Sequence, residues 1–328
     1  MDLISIVLTL YNKAPYIEET LFSIYKQTYT NRELIIVDDC STDGSFEIAK
    51  SFCKKIWITE KCKFIQNEKN LRVAKTFERG LREAKGDWIS MCDGDDILMK
   101  NKLEENLKFC RENHVDFCHS DMITIDENNN FLSSSAMKTF AINVYNHEVS
   151  NLISHCCATG SSIFFSGTLG HNLKKDGVFP TMYQDWWCVL YASLQWYKIW
   201  YINKALAYYR RCLSCITWHV HEGKVQKTNK DCLKHWITDL KEEQGKMDFI
   251  LRKQLYSTRE QKERLTKHID LNQQFITFLE SNKILLPFSL LKEIPFVREK
   301  IFYYRLFILQ LRKILYRFSK IFQKKSDS

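Results

Sequence analysis

Short apolar runs alternate with amphipathic segments in the first third of the chain. Mostly β-branched runs at residues 4–10, 34–37 and 88–91 predict buried strands, and a shorter strand is predicted at 64–66. Between them, apolar residues recur at helical spacing after Pro15, after the turn at 41–45 and from Val73 to Ala84. This βαβαβ order predicts an α/β fold in which helices cover both faces of a parallel sheet.

The pattern changes beyond residue 115. Strands are expected at 116–125 and 161–165, an aromatic-rich helix opens at 183–187, and two short strands are expected at 200–202 and 205–209. From about residue 223 the pattern is helical. We therefore predict a main domain at 1–220, made of the halves 1–115 and 116–220, and a C-terminal helical extension at 221–328.

Charge separates the same two regions. The chain has a formal charge of +9, but the first 220 residues hold 25 basic and 26 acidic side chains, whereas residues 221–328 hold 23 and 13. The near-neutral first region offers no broad basic groove, so nucleic acid is not an expected partner. Residues 301–325 form a basic amphipathic pattern, which fits either an anionic membrane surface or packing on the main domain.

The compartment is inferred from what the sequence lacks. Neither a signal peptide nor an apolar run long enough for a spanning helix is apparent, and the twelve cysteines are scattered. These features predict a reduced, cytoplasmic protein, with peripheral contact at the inner face of the cytoplasmic membrane if the basic helix binds lipid.

Acidic residues follow two of the predicted core strands. Asp38 and Asp39 end the second strand, and Asp93-Gly94-Asp95-Asp96 ends the strand at 88–91. Ligands of open parallel sheets bind beyond the carboxyl ends of the strands. Carboxylates there can accept hydrogen bonds from ribose or base, or hold a hard divalent cation. They can equally be turn residues and helix N-caps, and acidity alone does not decide between these.

Three motifs in order carry a family resemblance: Val7-Leu8-Thr9-Leu10-Tyr11-Asn12-Lys13, Ile36-Val37-Asp38-Asp39-Cys40-Ser41-Thr42-Asp43 and Asp93-Gly94-Asp95-Asp96. Over residues 1–220 the chain resembles family 2 glycosyltransferases of the GT-A fold, which implies a Rossmann-like domain with a mixed, mainly parallel sheet. The resemblance implies that Thr9 and Tyr11 line the nucleotide pocket and that Asp39 binds the base. Asp93 and Asp95 match the family's D-x-D motif, which contacts ribose and a Mg²⁺ or Mn²⁺ ion, and Asp96 either shares the metal or caps the next helix.

A further match places an acid on the acceptor side. In Gln184-Asp185-Trp186-Trp187, Asp185 corresponds to the family's catalytic base, and the Asp-Trp-Trp pattern resembles bacterial rhamnosyl and hexosyl transferases. The implied reaction is inverting transfer from a UDP- or dTDP-sugar to a hydroxyl of a glycan or lipid-linked glycan, in bacterial surface polysaccharide synthesis. Trp186 and Trp187 either stack on sugar rings or belong to the core. The alternative function is a catalytically inactive module that binds nucleotide sugar or glycan.

Two departures from the family pattern concern positive charge. Arg72 stands in Asn70-Leu71-Arg72 where relatives often have Asn-x-Gly, and it either reaches a phosphate or faces solvent. Relatives often end the domain with Tyr-Arg-x-His, whereas this chain has Tyr209-Arg210-Arg211-Cys212, so either Arg210 or Arg211 is expected to replace part of the missing charge.

Two cysteine- and histidine-containing segments are candidates for metal. The spacing of Cys212, Cys215, His219 and His221 is too short for a usual zinc finger, which favours a loop. His155-Cys156-Cys157 is interpreted as a pair of buried thiols beside a histidine.

Overall fold

We describe the protein from a computed structural model, which covers residues 1–56, 61–140, 142–152, 156–178, 183–211 and 229–280. Within these residues the structure divides into two units. The first contains residues 1–211 and 249–262, and the second contains 229–248 and 263–280. None of the helices among these residues combines the length and apolarity needed to cross a membrane.

A nine-stranded mixed sheet forms the framework of the first unit. Its strands are β1 (Ile4–Leu10), β2 (Arg32–Asp38), β3 (Cys62–Gln66), β4 (Trp88–Asp93), β5 (Ile97–Leu98), β6 (Phe117–Asp126), β7 (Phe131–Ser133), β8 (Ile163–Ser166) and β9 (Ile199–Arg211). They lie in the order β3-β2-β1-β4-β8-β6-β9-β5, and β7 pairs with β6. Strands β1 to β4 are mutually parallel, β8 runs against both β4 and β6, and β9 is parallel to β6. The predicted mixed and mainly parallel α/β sheet is confirmed.

Helices connect and cover these strands. They are α1 (Ile17–Tyr25), α2 (Ser45–Ile56), α3 (Val73–Glu83), α4 (Lys102–Asn113), α5 (Ala136–Thr139), α6 (Val149–Leu152), α7 (Gly167–Asp176) and α8 (Gln184–Leu194). The three helices expected before residue 100 form where the apolar spacing predicts them. The continuous burial of Ile4–Leu10 shows why that strand has no polar alternation, because both of its faces are covered.

The second half of this unit contains elements that the sequence did not predict, namely β7, α5, α6 and α7, and it differs from the prediction at β9. The sequence favours two short strands at 200–202 and 205–209, but β9 is a single strand of 13 residues paired along β6. Its register shifts at Ser120 and Asp121 of β6, where the polar pair Asn203-Lys204 of β9 interrupts the apolar pattern. The interruption is an irregularity within the pairing and not a turn between strands.

The second unit consists of helical segments. Helix α9 (Asn229–Arg252) and helix α10 (Arg259–Glu280) are the elements described after residue 211, and the last turns of α9 belong to the first unit. The basic segment 301–325 and the stretch that contains Cys212, Cys215, His219 and His221 lie outside the described residues. The expected domain boundaries and the membrane contact therefore stay predictions.

Candidate active site

The acidic turn begins at the carboxyl end of β4, beside the end of β1. Thr9 and Asp93 are register partners on these two strands. The Thr9 hydroxyl donates to Asp93 Oδ1 at 2.9 Å, and the Gln184 amide donates to the same oxygen at 3.2 Å. The backbone N–H of Asp93 donates to the Ser161 hydroxyl at 2.9 Å. Asp93 is thus the point at which both halves of the unit meet.

The next two carboxylates of the turn have partners of their own. Asp95 Oδ2 forms an ion pair with the Lys13 ammonium at 2.5 Å, with both side chains largely buried. Asp96 is buried, and its Oδ1 accepts a hydrogen bond from the backbone N–H of Arg210 at 3.2 Å. The three carboxylates therefore face different neighbours, and among the described residues they do not form a three-ligand cluster of the kind that would hold an ion without rearrangement.

Arg210 lies beneath the turn and not beside an open pocket. Its side chain is 1% exposed, and its Nε donates to the carbonyl of Asp95 at 2.9 Å. The remaining guanidinium donors bind Glu19 at 2.7 Å and the side-chain oxygen of Asn129 at 2.6 Å, and the group stacks over the Tyr16 ring. This geometry gives Arg210 a role in holding the acidic turn. The expectation that it offers positive charge to a phosphate finds no support in these contacts.

Two glycines allow the backbone to approach the turn closely. A Cβ at Gly94 would lie 2.9 Å from Leu10 Cδ1 and 3.2 Å from the Thr9 carbonyl oxygen. The φ angle of Gly94 is not positive, so close approach, and not left-handed backbone, is what requires glycine. A Cβ at Gly160 would lie 2.1 Å from Asp93 Oδ2. The turn at Gly160–Ser162 is therefore packed directly against the first carboxylate of the motif.

Burial and mutual repulsion shape the charge of this cluster. Burial, reinforced by the nearby Asp95 and Asp185 carboxylates, raises the pKa of Asp93 to about 7. Burial, with Asp95 and Asp93 next in importance, also raises the pKa of Asp96 well above its usual value. The site therefore concentrates more negative potential than Lys13 compensates, which is the condition in which a bound cation is strongly favoured.

Asp185 lies near Asp93, in the first turn of α8. Its Oδ1 accepts the backbone N–H of Trp186 at 2.7 Å, and the backbone of Gly160 also hydrogen-bonds to it. Burial raises the pKa of Asp185 to about 6, although these backbone donors oppose the shift. A carboxyl with this pKa is mostly ionised at neutral pH and is still a better proton acceptor than an ordinary aspartate.

The two tryptophans after Asp185 have different environments. Trp187 is fully buried, its indole N–H donates to the Gly177 carbonyl at 3.2 Å, and its ring packs edge-on against Phe249. The core interpretation is therefore confirmed for Trp187. Trp186 is partly exposed, and its indole N–H donates to the Leu152 carbonyl.

The loops after β1 and β2 are held together by backbone-to-side-chain hydrogen bonds. The N–H groups of Asn12 and Lys13 donate to the hydroxyls of Ser41 and Ser45 at 2.9 and 2.7 Å. In return, the Asn12 side-chain oxygen accepts the N–H of Thr42 at 2.9 Å. Asn12 has a positive φ of 51°, a conformation that asparagine tolerates better than most residues. Two of the sequence motifs thus form one connected edge of the site.

The remaining predicted nucleotide-side residues lie along this edge. Asp39 is buried, and its Oδ1 accepts hydrogen bonds from the Asn67 side chain at 2.8 Å and from the Leu71 N–H at 2.7 Å. Tyr11 is 44% exposed. Arg72 has an exposed side chain and a positive φ of 67°.

The structure adds contacts that the sequence did not assign. Lys13 is the last residue of the motif at 7–13, and Gln184 directly precedes Asp185, so the motifs could have identified both as site residues. Gly160 and Lys102 were not, because their partners are distant in sequence. Lys102 is fully buried in α4, and burial lowers its pKa to about 8, which the nearby Cys118, Cys92 and Asp96 oppose.

Comparison with known proteins agrees with this geometry. The profile of glycosyl transferase family 2 matches residues 5–167. The putative teichuronic acid biosynthesis glycosyltransferase TuaG of Bacillus subtilis is 36% identical over 115 residues, which are 35% of this chain and 44% of that protein. The chain spans less than half the length of the curated relatives it matches.

Solved structures share the fold. S. aureus TarS 1–349 in complex with UDP-GlcNAc has a TM-score of 0.53 at 19% identity, over 85% of this chain and 76% of that one. The mannosyltransferase PcManGT from Pyrobaculum calidifontis, in complex with GDP-Man and Mn²⁺, has a TM-score of 0.53 at 13% identity, over 94% and 81%. The sheet is that of the GT-A glycosyltransferases, and residues 5–167 of the chain form a domain of glycosyltransferase family 2.

Proposed function

We propose that the chain transfers a sugar from a nucleoside diphosphate donor to a hydroxyl of a glycan or lipid-linked glycan, with Asp185 as the catalytic base. One observation carries the proposal. Asp93 on the donor side and Asp185 on the acceptor side share one buried region, in which Gln184 contacts the first and the Gly160 turn touches both. A donor phosphate group and an acceptor hydroxyl need opposite sides of such a region.

The chemistry follows from the two carboxylates. The acceptor hydroxyl gives its proton to the Asp185 carboxylate as its oxygen forms a bond to the anomeric carbon of the donor. The bond between that carbon and the diphosphate oxygen breaks, and the electron pair leaves with the diphosphate. In-line attack opposite the leaving group inverts the anomeric configuration, and general base catalysis of this kind contributes about 10²- to 10⁴-fold to rate.

Asp93 and Asp95 are the residues that would hold a divalent cation. Their oxygen donors suit Mg²⁺ or Mn²⁺, and the uncompensated negative charge around Asp93 fits a cation better than it fits the protein alone. When bound, such an ion neutralises charge that develops on the diphosphate. The Lys13 ammonium, which is paired with Asp95, supplies part of the neutralising positive charge from the protein itself. Asp96 holds the Arg210 backbone and supports the turn from below.

The donor and acceptor classes are supported by relatives. Proteins with this fold carry UDP-GlcNAc or GDP-Man in their solved structures, and TuaG is named for teichuronic acid biosynthesis. The UDP-GlcNAc complex supports a UDP-sugar donor, and the name of TuaG supports a role in bacterial surface polysaccharide synthesis. A dTDP-sugar donor rests on the sequence resemblance alone. Thr9, Tyr11 and Asp39 line the nucleotide side in this proposal, with Arg72 exposed at its margin. Contact of 301–325 with an anionic membrane at its cytoplasmic face rests on the sequence alone.

The experiment replaces each carboxylate separately in the full chain. Asp185→Asn and Asp95→Asn are assayed for sugar transfer with Mn²⁺, and nucleotide-sugar binding is followed by thermal stabilisation. Asp185→Asn is expected to lose about 10³-fold in turnover and to keep donor binding. Asp95→Asn is expected to lose both. Glu112→Gln, which changes an exposed carboxylate on α4, is the matched control.

Two results would count against the proposal. Full turnover in both variants would remove the assigned roles. Donor binding with no donor turnover in the unsubstituted chain, with or without EDTA and across a panel of glycan acceptors, would instead favour the inactive binding module.

A further inference from the structure

Three potential metal ligands meet on the second half of the sheet, away from the acidic turn. They are His119 on β6, His147 in the loop before α6, and Cys157 in the segment that leads to Gly160. One ligand atom from each lies within 4.8 Å of the other two. The Nε2 atoms of the two imidazoles are 3.2 Å apart. Among the described residues this is the one such group of histidine, cysteine and acidic side chains.

The cluster is enclosed by the fold. His119 and Cys157 are fully buried, and His147 is partly buried. The Ser193 hydroxyl donates to the His147 carbonyl at 2.6 Å, which anchors that loop to α8.

The spacing of the imidazoles fits a tetrahedral ion. With Zn–N bonds of about 2.0–2.1 Å, two nitrogen ligands at the tetrahedral angle lie roughly 3.3 Å apart. The observed 3.2 Å between the Nε2 atoms is close to that value. One hydrogen bond between the rings would also give such a distance, but it would leave the Cys157 sulfur beside them without a role. Two nitrogens and one sulfur favour zinc-class metals over magnesium or calcium.

We propose that His119, His147 and Cys157 bind a zinc ion that ties β6, the loop before α6 and the segment after it together. Cys157 loses its thiol proton to solvent as the sulfur–metal bond forms, and the fourth position of the ion is open to water. The segment that begins at Cys157 continues to Gly160 and Ser161, and both of these residues contact Asp93. The ion thereby fixes the segment that positions the acidic turn, and it acts through structure and not through the transfer step.

Cobalt substitution tests this site through a signal that sugar transfer does not influence. Co²⁺ is titrated into the metal-free full chain, and its absorption is recorded in the near-ultraviolet and visible regions. We expect stoichiometric binding, with a thiolate-to-cobalt charge-transfer band and the intense visible bands of a tetrahedral site. Zn²⁺ should displace the cobalt, whereas Mg²⁺ should not.

Substitutions assign the signal to individual ligands. Cys157→Ser is expected to abolish the thiolate band, and His147→Gln to weaken cobalt binding at least tenfold. Cys156→Ser removes the neighbouring thiol and should leave the spectrum unchanged. The double variant Cys212→Ser/Cys215→Ser should also keep it, and so should Asp95→Asn. Circular dichroism of each variant shows whether it is folded.

The unsubstituted chain can overturn the proposal by itself. Absence of a thiolate band at saturating Co²⁺ would mean that the cluster is only a buried histidine pair beside a thiol. A band that survives in folded Cys157→Ser, or that disappears in the Cys212/Cys215 double variant, would place the metal elsewhere.

Discussion

The two halves of the first unit build their parts of the site in different ways. In residues 1–115, the loops that follow β1 and β2 are joined by hydrogen bonds between neighbouring motifs, as from Asn12 to Ser41. In residues 116–211, the important contacts reach across the chain: Gly160 packs on Asp93, and Gln184 donates to it from 91 residues away.

The charges of the two halves differ as well. The first half contributes buried carboxylates that repel one another, whereas the second contributes the imidazoles and thiol of His119, His147 and Cys157 together with the carboxylate of Asp185. The first half therefore attracts a cation, and the second supplies position and a base. Asp93 is contacted by residues of both halves. Substitutions in one half or the other therefore test the contribution of each half separately.

After replacement of the carboxylates themselves, the largest expected effect comes from Gly160→Ala. The added Cβ would lie 2.1 Å from Asp93 Oδ2, so either the carboxylate or the Gly160 turn must move. Because displacement of about 1 Å in an active site can cost 10²-fold, we expect turnover to fall about 10²-fold. Steady-state kinetics measure it. Gly44→Ala, at a left-handed glycine with open space around it, controls for general strain, and an unaffected Gly160→Ala enzyme would show that the contact is not required.

The decrease in turnover at acid pH should depend on Asp185, which belongs to the second half. Asp185 must be ionised to accept a proton, and its pKa is raised to about 6 by burial. Turnover should therefore fall as pH decreases through about 6, approaching tenfold per pH unit below that. Asp93, with a pKa raised to about 7, titrates in the same range, so the apparent values belong to the pair. A turnover that is flat between pH 5 and 8 would contradict the role of Asp185.

Lys13→Met tests the charge balance of the first half. The Lys13 ammonium forms an ion pair with Asp95, the carboxylate that is proposed to hold the cation, so Lys13 and the cation compete for Asp95. Removing a largely buried ion pair of about 1 kcal/mol should lower the half-activating Mn²⁺ concentration about fivefold. Lys50→Met, which removes an exposed lysine on α2, is the control. An unchanged or increased Mn²⁺ requirement would mean that Lys13 and the metal do not share Asp95.

The last prediction concerns stability and not rate. The pKa of Asp93 is raised to about 7 in the folded state, above its ordinary value, so folding favours the protonated form. Its stabilising contribution is full at acid pH and is lost as pH rises through about 7. Asp93→Asn should therefore increase the free energy of unfolding by about 2 kcal/mol at pH 8 in EDTA, and by little at pH 4. Thermal unfolding at both pH values measures this, and a destabilised variant at pH 8 would show that the carboxylate is not penalised.

Sequence reasoning predicted the first half well because its information is local. Apolar spacing located Val73–Glu83, and strand ends located Asp39 and Asp93 before any coordinates. It was less successful where the role of a residue depends on partners that are distant in the sequence. Nothing in the pattern around Arg210 reveals that its guanidinium is taken up by Glu19 and Asn129. Likewise His119, His147 and Cys157 are separated by 38 residues of chain and meet only because β6 and the α6 region fold together.

The hydrogen bonds between the loops after β1 and β2 have a consequence for how the gene can change. The Asn12 side chain accepts the backbone N–H of Thr42 across 30 residues, and the Asp43 side chain accepts the backbone N–H of Ala14 across 29. A substitution that removes either acceptor leaves a backbone N–H of the other loop without its partner, whereas every residue except proline at 14 or 42 still supplies the donor. Positions 12 and 43 are therefore expected to accept far fewer residue types than positions 14 and 42.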